Sequence, residues 1–416
     1  MKKMTLRVLP ALLLTAFSGV ASAAAFQLLE QNASGLGVSY AGSAAIADNA
    51  STIFFNPAGM TLLPGRQVSL GVSIIGPSYR FRNRGSSGTG LLAGLNGGNG
   101  GDAGGWAGVP NAFLSWQLGS RWVVGLGISA PFGLATKYDD RWVGRFHSIK
   151  SEIRTININP SLAYKLNDTV SLGFGLNYQS IEAEMGNMRP IAPGVFRLSR
   201  LEGDDAGWGW NAGALFTLSP AMRVGVSYRS SIQYELEGKQ TVTGVATIPA
   251  RAKLLLPDTF ILSVWQQVSD RWEAMGDLSY THWSTLDKLK VYNRTNGALL
   301  GVEDFKYQNS WRIAWGAAYK YSDAWKMKFG IAHDRTPTTD TYRAARAPDN
   351  NRLWLSLGAQ WKPSATAVLD VGYAYLYVRD VEINQLKNFG IAGTATLRGK
   401  YDASAHILGV QYTLGF

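Results

Sequence analysis

The closing stretch, His406-Ile407-Leu408-Gly409-Val410-Gln411-Tyr412-Thr413-Leu414-Gly415-Phe416, constrains the chain more than any other. Leu408, Val410, Tyr412, Leu414 and Phe416 alternate with Ile407, Gly409, Gln411, Thr413 and Gly415. Successive side chains of a strand point to opposite faces, so one face is apolar and the other mostly small or polar. A soluble sheet could contain one such strand, but the pattern recurs along the chain. Recurrence of this kind is the code of a membrane barrel, whose outside meets lipid and whose inside meets water.

The start of the chain sets the compartment. Lys2, Lys3 and Arg7 form a basic beginning, Val8 to Phe17 a short apolar run, and Ala21-Ser22-Ala23 an A-x-A cleavage site. Residues 1–23 therefore read as a signal peptide. The rival reading, a membrane helix, fails because the run is too short and holds Pro10. No later stretch approaches the apolar length of a membrane helix, which leaves a periplasmic, secreted or barrel protein. With no cysteine in the sequence, neither disulfides nor thiolate metal sites can form; no cofactor and no metal is called for. Losing Lys2, Lys3 and Arg7 lowers the formal charge from +11 to +8. The remaining basic residues are scattered rather than clustered, which argues against nucleic acid and for loops or lumen, facing the phosphates of an outer leaflet. The expected surroundings are thus outer-membrane lipid and lipopolysaccharide.

Six tight polar turns punctuate the chain: Gly119-Ser120-Arg121, Asn167-Asp168-Thr169, Ser219-Pro220-Ala221, Ser269-Asp270-Arg271, Ser322-Asp323-Ala324 and Pro363-Ser364-Ala365. Three are followed at once by a tryptophan (Trp122, Trp272, Trp325), as an interfacial girdle requires. Between the turns lie longer, less regular stretches at 83–108, 133–147, 186–206, 238–249, 285–303, 335–350 and 384–396, which read as loops. Short turns at one end and long loops at the other separate fourteen strands, an even count. Propeller blades would need four strands per period, and two are found. The strands carry the expected alternation: Leu172, Phe174, Leu176 and Tyr178 against Gly173, Gly175 and Asn177; Leu353, Leu355, Leu357, Ala359 and Trp361 against Arg352, Ser356, Gly358 and Gln360. The inward rows are small, so something else can occupy the lumen.

Residues 24–65 do not alternate. They are rich in small residues and reach Asn56-Pro57-Ala58-Gly59-Met60, where Pro57 suits the first position of a helical turn. Short helices joined by turns fit this segment. It is too small and apolar to stand alone and must pack against something.

The ordered set Ala24-Ala25-Phe26-Gln27-Leu28, Ser34-Gly35-Leu36-Gly37, Ala45-Ile46-Ala47-Asp48, Asn56-Pro57-Ala58, Gly133-Leu134-Ala135-Thr136, Trp208-Gly209-Trp210-Asn211-Ala212-Gly213, Ser227-Tyr228-Arg229-Ser230, Trp311-Arg312-Ile313-Ala314 and Pro348-Asp349 with Arg352-Leu353-Trp354-Leu355-Ser356 resembles the FadL family of outer-membrane transporters for hydrophobic compounds. Each motif alone is weak; their order is specific. The resemblance implies an all-β transmembrane fold, a 14-stranded antiparallel outer-membrane barrel acting as a monomer, with 24–65 folded inside 66–416 as a hatch. It also implies passive uptake of long-chain fatty acids or, in hydrocarbon-transporting relatives, of neutral alkylbenzenes.

A plugged barrel must move cargo by shifting the plug, by a side exit, or by both. Ser129-Ala130-Pro131-Phe132-Gly133 is the candidate exit. Proline cannot donate to a ladder and is excluded from paired strand interiors, so Pro131 either ends a strand at the rim or, as the family's kinked third strand implies, opens the wall between Ser129 and Gly133. Candidate capture residues are Met188, Ile191, Val195, Phe196 and Leu198 in 186–206, with Val245 and Ile248 in 238–249; ordinary loop packing is the alternative. Asn56, Pro57 and Ala58 are expected to tie hatch to wall, beyond a plain Asn-Pro turn. Phe26 takes a ligand-linked role by the resemblance, or simply buries itself. The basic residues that hold the carboxylate in fatty-acid members fall near the neutral Asn187 and Gln308, with Arg189, Lys306 and Arg312 as candidate carboxylate partners. Without a cation, burying a carboxylate is costly, so both cargo classes stay open.

Two other classes compete. An enzyme finds no H-E-x-x-H, G-x-S-x-G or P-loop motif, and His333-Asp334 is the sole adjacent His–acid pair. A general porin would conduct ions with the hatch in place.

Overall fold

The computed structural model describes residues 25–416; the leader expected over 1–23 and Ala24 lie outside the described residues. The wall is built from β1 (Arg66–Asn83), β2 (Ala107–Gln117), β3 (Trp122–Ser129 and Gly133–Lys137), β4 (Lys150–Lys165), β5 (Val170–Ala192) and β6 (Val195–Ser219). Four strands in two pieces follow: β7 (Met222–Arg229 and Ile232–Val242), β8 (Ala246–Leu256 and Thr259–Gln267), β9 (Trp272–Thr281 and Lys288–Asn293) and β10 (Leu299–Asp304 and Ser310–Lys320). β11 (Trp325–Asp334), β12 (Arg352–Trp361), β13 (Ala367–Asn388) and β14 (Thr394–Gly415) complete the circuit. Each strand runs antiparallel to the next, and β14 pairs with β1 from Gln67↔Gly415 to Asn83↔Gly399. That last ladder closes a 14-stranded barrel and removes both edges, the condition for a sheet to stand in lipid.

Alternation holds through the wall. Leu172, Phe174, Leu176 and Tyr178 point outward while Ser171, Asn177 and Gln179 are buried inward. Trp122, Trp272, Trp325 and Trp361 are exposed beside the short turns, and Tyr178, Trp208, Trp210, Phe260 and Tyr280 are exposed farther along their strands, giving two aromatic girdles.

Four of the stretches read as loops are instead strand. β5 runs on to Ala192 and β6 begins at Val195, while 238–249, 285–303 and 384–396 are likewise largely hairpin. The reason is a change of solvent rather than of backbone. Past the outer girdle the outward positions carry ion pairs such as Lys150–Glu184 (2.6 Å), Arg200–Glu184 (3.2 Å) and Arg251–Glu235 (3.6 Å). Exposed pairs of this kind stabilise little, but they mark where the wall leaves lipid for water. The stretch 335–350, by contrast, is irregular and folds inward, burying Arg343, Ala344, Ala345, Arg346 and Ala347.

The N-terminal segment occupies the lumen. It contains α1 (Ala33–Leu36), α2 (Thr52–Phe55) and a 3-10 turn at Pro57–Leu62 with Pro57 in its first turn. Its bonds reach around the circle: Ser39 to Ser356 (2.7 Å), Ser43 to Asp277 (2.8 Å), Thr61 to Ser171 (2.7 Å), and Ala33 N to Gln411 (3.2 Å). Glycines on the wall make room for it. A Cβ at Gly225 would lie 1.9 Å from the Ala44 carbonyl, and one at Gly330 2.2 Å from Val38.

Candidate functional site

Three features meet above the hatch. The first is an apolar cavity lined by Phe26, Leu134, Ile153, Met185, Leu201, Leu236, Leu254, Leu286, Val291 and Phe305 among others. These residues come from most of the strands between β3 and β10, and they form one buried cluster. Phe26 closes the floor, with its ring 4.9 Å from Trp283 and 6.0 Å from Phe132. The Ala25 amide is fixed by Asp349 Oδ2 at 2.9 Å.

The second is a larger open cleft between the outer hairpins, lined by Arg189, Ile191, Val245, Glu303, Tyr342 and Lys387 among others. Arg346 lines both spaces. Its Nη1 donates to Ser151 Oγ (3.0 Å), its Nε lies 3.6 Å from Glu303, and Lys387 lies 3.2 Å from that same carboxylate. Two cations share one acid there, which leaves net positive charge at the cavity mouth. His147 is buried beside this group with Nε2 donating to the Gln385 carbonyl at 3.0 Å. Burial in the main, with the Lys387 charge added, pushes its imidazole down to about 3 and keeps it neutral.

The third is a break in the wall. The β2–β3 ladder stops at Ala112↔Ile128, while β2 continues beside β1 as far as Ala107. β3 bends inward at Ala130-Pro131-Phe132 before resuming against β4 at Gly133↔Arg154. An unpaired backbone group in an apolar setting costs several kcal/mol, so where these groups go decides whether the break can exist. Pro131 has no N–H, and its carbonyl accepts from Leu28 N (2.8 Å). Gly133 N donates to the Phe26 carbonyl (2.8 Å), Gln31 Nε2 to the Ala130 carbonyl (2.9 Å), and Thr155 Oγ1 bonds both the N–H and the carbonyl of Phe132. The hatch thus stands in for the missing β2. On the far side Pro110 offers no donor, and a Cβ at Gly105 or Gly108 would meet nothing within 4 Å.

The residues singled out from sequence fall into distinct places. Phe26 lines the apolar cavity, and Ile191, Val245 and Arg189 line the cleft. Met188 and Phe196 pack instead on Phe146 and Leu92, and the Phe196 ring meets Phe146 edge-to-face at 5.0 Å. Val195, Leu198 and Ile248 lie on the hairpins outside both spaces. Asn56 Nδ2 reaches the Ala44 (2.8 Å) and Ala214 (3.0 Å) carbonyls, and its Oδ1 accepts from Ala58 N, so hatch and wall are joined directly beside Pro57. Ser129 ends the first piece of β3 and Gly133 begins the second.

None of the three candidate cations lines the apolar cavity. Lys306 is exposed, its amine 4.9 Å from the Tyr342 ring. Arg312 lies below the Phe26 floor, donating to the Ser39 carbonyl at 2.6 Å. Arg346 takes the position instead. Its stretch, Arg343-Ala344-Ala345-Arg346-Ala347, carries no alternation to announce it; adjacency to Pro348-Asp349 was the one available signal. His333 and Asp334 face opposite sides of β11, His333 beside Trp311 with ring centres 5.3 Å apart and Asp334 buried inward, so strand alternation separates this pair.

The fold and these spaces define a class: a plugged β-barrel with an apolar interior chamber and a side break. The profile of the family described as outer membrane protein transport protein (OMPP1/FadL/TodX) matches residues 14–416, and the chain belongs to that family. It is 31% identical to outer membrane protein P1 of Haemophilus influenzae over 98% of this chain and 97% of that protein. It is 30% identical to the long-chain fatty acid transport protein of Escherichia coli K12, over 87% of this chain and 90% of that one. The crystal structure of a Pseudomonas aeruginosa FadL homologue superposes with a TM-score of 0.88 at 25% identity, covering 94% of this chain and all of that one. The Pseudomonas putida toluene transporter TodX shares the fold, with a TM-score of 0.70 at 14% identity over 95% of this chain and 100% of that one. The protein is an integral outer-membrane transporter of hydrophobic compounds.

Proposed function

We propose that this transporter takes up long-chain fatty acids passively and releases them sideways through the break in β3. The observation that carries the reading is that Phe26 serves two structures at once. Its ring floors the apolar cavity, and its carbonyl completes the broken strand at Gly133. A ligand that displaces Phe26 therefore loosens the wall where cargo would leave. An apolar chain gains roughly 0.8 kcal/mol per CH₂ leaving water, so it favours the cleft, then the cavity, then the bilayer, with no energy source if it is consumed downstream. Arg346, sharing Glu303 with Lys387, is the proposed partner of the carboxylate and favours fatty acids. The almost entirely carbon wall of the cavity also suits neutral hydrocarbons such as alkylbenzenes, which is the second reading. The chain is proposed to work as a monomer embedded among outer-leaflet lipid and lipopolysaccharide, and to need no cofactor.

Replacing Pro131 with valine supplies the missing donor and favours a continuous strand. Uptake of labelled oleate by cells carrying Pro131→Val is expected to fall while oleate binding by the purified protein persists. Unchanged uptake would remove the lateral route.

A further inference from the structure

We propose that the polar chamber below Phe26 is a second docking point for the cargo carboxylate, received by Arg229, and that its occupation unties α2 from the barrel wall. This rests on the fatty-acid reading above. The chamber is lined by Gln27, Arg229, Thr259, Thr281, Arg312 and Asp334 among others, a set of convergent polar groups. Its roof is light: Gln27 bonds Thr259 Oγ1 (3.1 Å) and Thr281 Oγ1 (3.2 Å), next to the Phe26 floor of the cavity above. Movement of residues 26 and 27 would join the two spaces.

Arg229 is the unusual group. Its Nη1 donates to Asn177 Oδ1, its Nη2 to the Phe54 carbonyl at 2.9 Å, and its guanidinium lies 4.3 Å from the centre of the Phe54 ring. Both acceptors are neutral, and among the described residues no carboxylate pairs with it. Lys328 with Asp370 at 2.8 Å and Arg352 with Asp349 are ion-paired, whereas Arg312, in the same chamber, donates to the Ser39 carbonyl and shares the chamber with Asp334. A half-buried guanidinium that faces a polar cavity with only neutral acceptors bonded to it favours an anion. A carboxylate fits it best, because its two oxygens match the guanidinium fork; a neutral hydrocarbon gains nothing from it. The carboxylate would compete with the Phe54 carbonyl, which belongs to α2. Releasing that carbonyl leaves Asn56 to Ala214 as the neighbouring tie between this part of the hatch and the wall.

The test uses the full-length protein in detergent with oleate and methyl oleate as probes. Equilibrium binding is expected to give two oleates per wild-type barrel and one for Arg229→Gln. Hydrogen exchange over residues 52–58 should rise with oleate in the wild type, but neither with methyl oleate nor in Arg229→Gln. Arg229→Lys, which keeps the charge and guards against misfolding, should retain a second site about tenfold weaker. One oleate per wild-type barrel, or an exchange response shared by methyl oleate or Arg229→Gln, overturns the proposal. If the wild type binds oleate no better than methyl oleate, the fatty-acid reading itself fails. If that preference exists and is lost in Arg346→Gln, while Arg229→Gln changes neither stoichiometry nor exchange, only the lower site is excluded.

Discussion

The periplasmic and extracellular halves of this barrel use the same strands for opposite purposes. In the periplasmic half the outward faces are apolar, and the inward faces are small or polar because the hatch fills the lumen: Gly225 and Gly330 admit its backbone, Ser356 and Asp277 meet its polar groups, and Asn211 accepts from the neighbouring wall residue Asn159. In the extracellular half the outward faces carry ion pairs, and Ile232, Tyr234, Leu236, Ala252 and Leu254 turn inward around the cavity. In β5 and β6 the pleat and the register run unchanged across the border. There the apolar residues move from the outer row (Leu172, Phe174, Leu176) to the inner row (Ile181, Met185) of one continuous strand as the solvent on each side changes. In β7 to β10 each strand is broken at the border instead, and the β6–β7 and β8–β9 registers shift there. A barrel can thus hold a water-exposed apolar chamber directly above a lipid-exposed wall, with Phe26 and the β3 break at the junction.

The sharpest way to break the contrast is to empty the lower half. Deleting residues 24–65 is expected to raise single-channel conductance in planar bilayers by ~10-fold or more, since fourteen strands approach the width at which barrels hold an aqueous channel. Unchanged conductance would mean that the upper half seals by itself. Next in size is the buried ion pair beneath the hatch. Lys328 bonds Asp370 and the Ser34 carbonyl (3.0 Å), and Lys328→Met leaves an acid uncompensated. A loss of about 3–5 kcal/mol is expected, read as a lower unfolding midpoint in denaturant; a neutral result would show that the lower lumen is wet.

Arg346→Gln tests the upper half. Losing a charge-assisted bond of about 1.5–3 kcal/mol should weaken oleate binding roughly 10- to 100-fold, with methyl oleate unaffected. Equal losses for both probes would assign Arg346 to structure alone. Asn56→Ala should cost about 1–2 kcal/mol, by removing donors to two buried carbonyls; thermal unfolding followed by heat-dependent gel mobility reads it. The smallest effect is acid loosening of the outer cap. The His147 imidazole is held down to about 3, while in the unfolded chain it titrates near 6.5. The unfolded state therefore takes up the proton first as pH falls. The stability gained from this burial is complete above about 6.5 and declines as pH drops from there toward 3. Protection of the 138–149 amides, taken relative to their intrinsic exchange at each pH, should fall as the pH drops from 7.5 to 5 and stay level in His147→Gln; protection that does not change with pH would exclude this cause.

The sequence alone settled the wall. Alternation at Leu172–Tyr178 or Leu353–Trp361 follows from backbone geometry and from a different solvent on each face, and Ser120, Asp168 and Asp270 mark turns by local chemistry. The hairpins at 186–206 and 238–249 were misread as loops because their charged outward rows mimic the composition of a loop. Phe26, Asn56 and Pro131 stood out by motif or by backbone chemistry. What tertiary structure decided is which of them meet: Phe26 touches Phe132 and Trp283 only because barrel closure brings distant segments together. Arg346 reaches Ser151 and Glu303 for the same reason. Contacts between residues so far apart depend on strand register and closure, which no local pattern encodes, so the wall could be read from the chain while the chamber had to be seen.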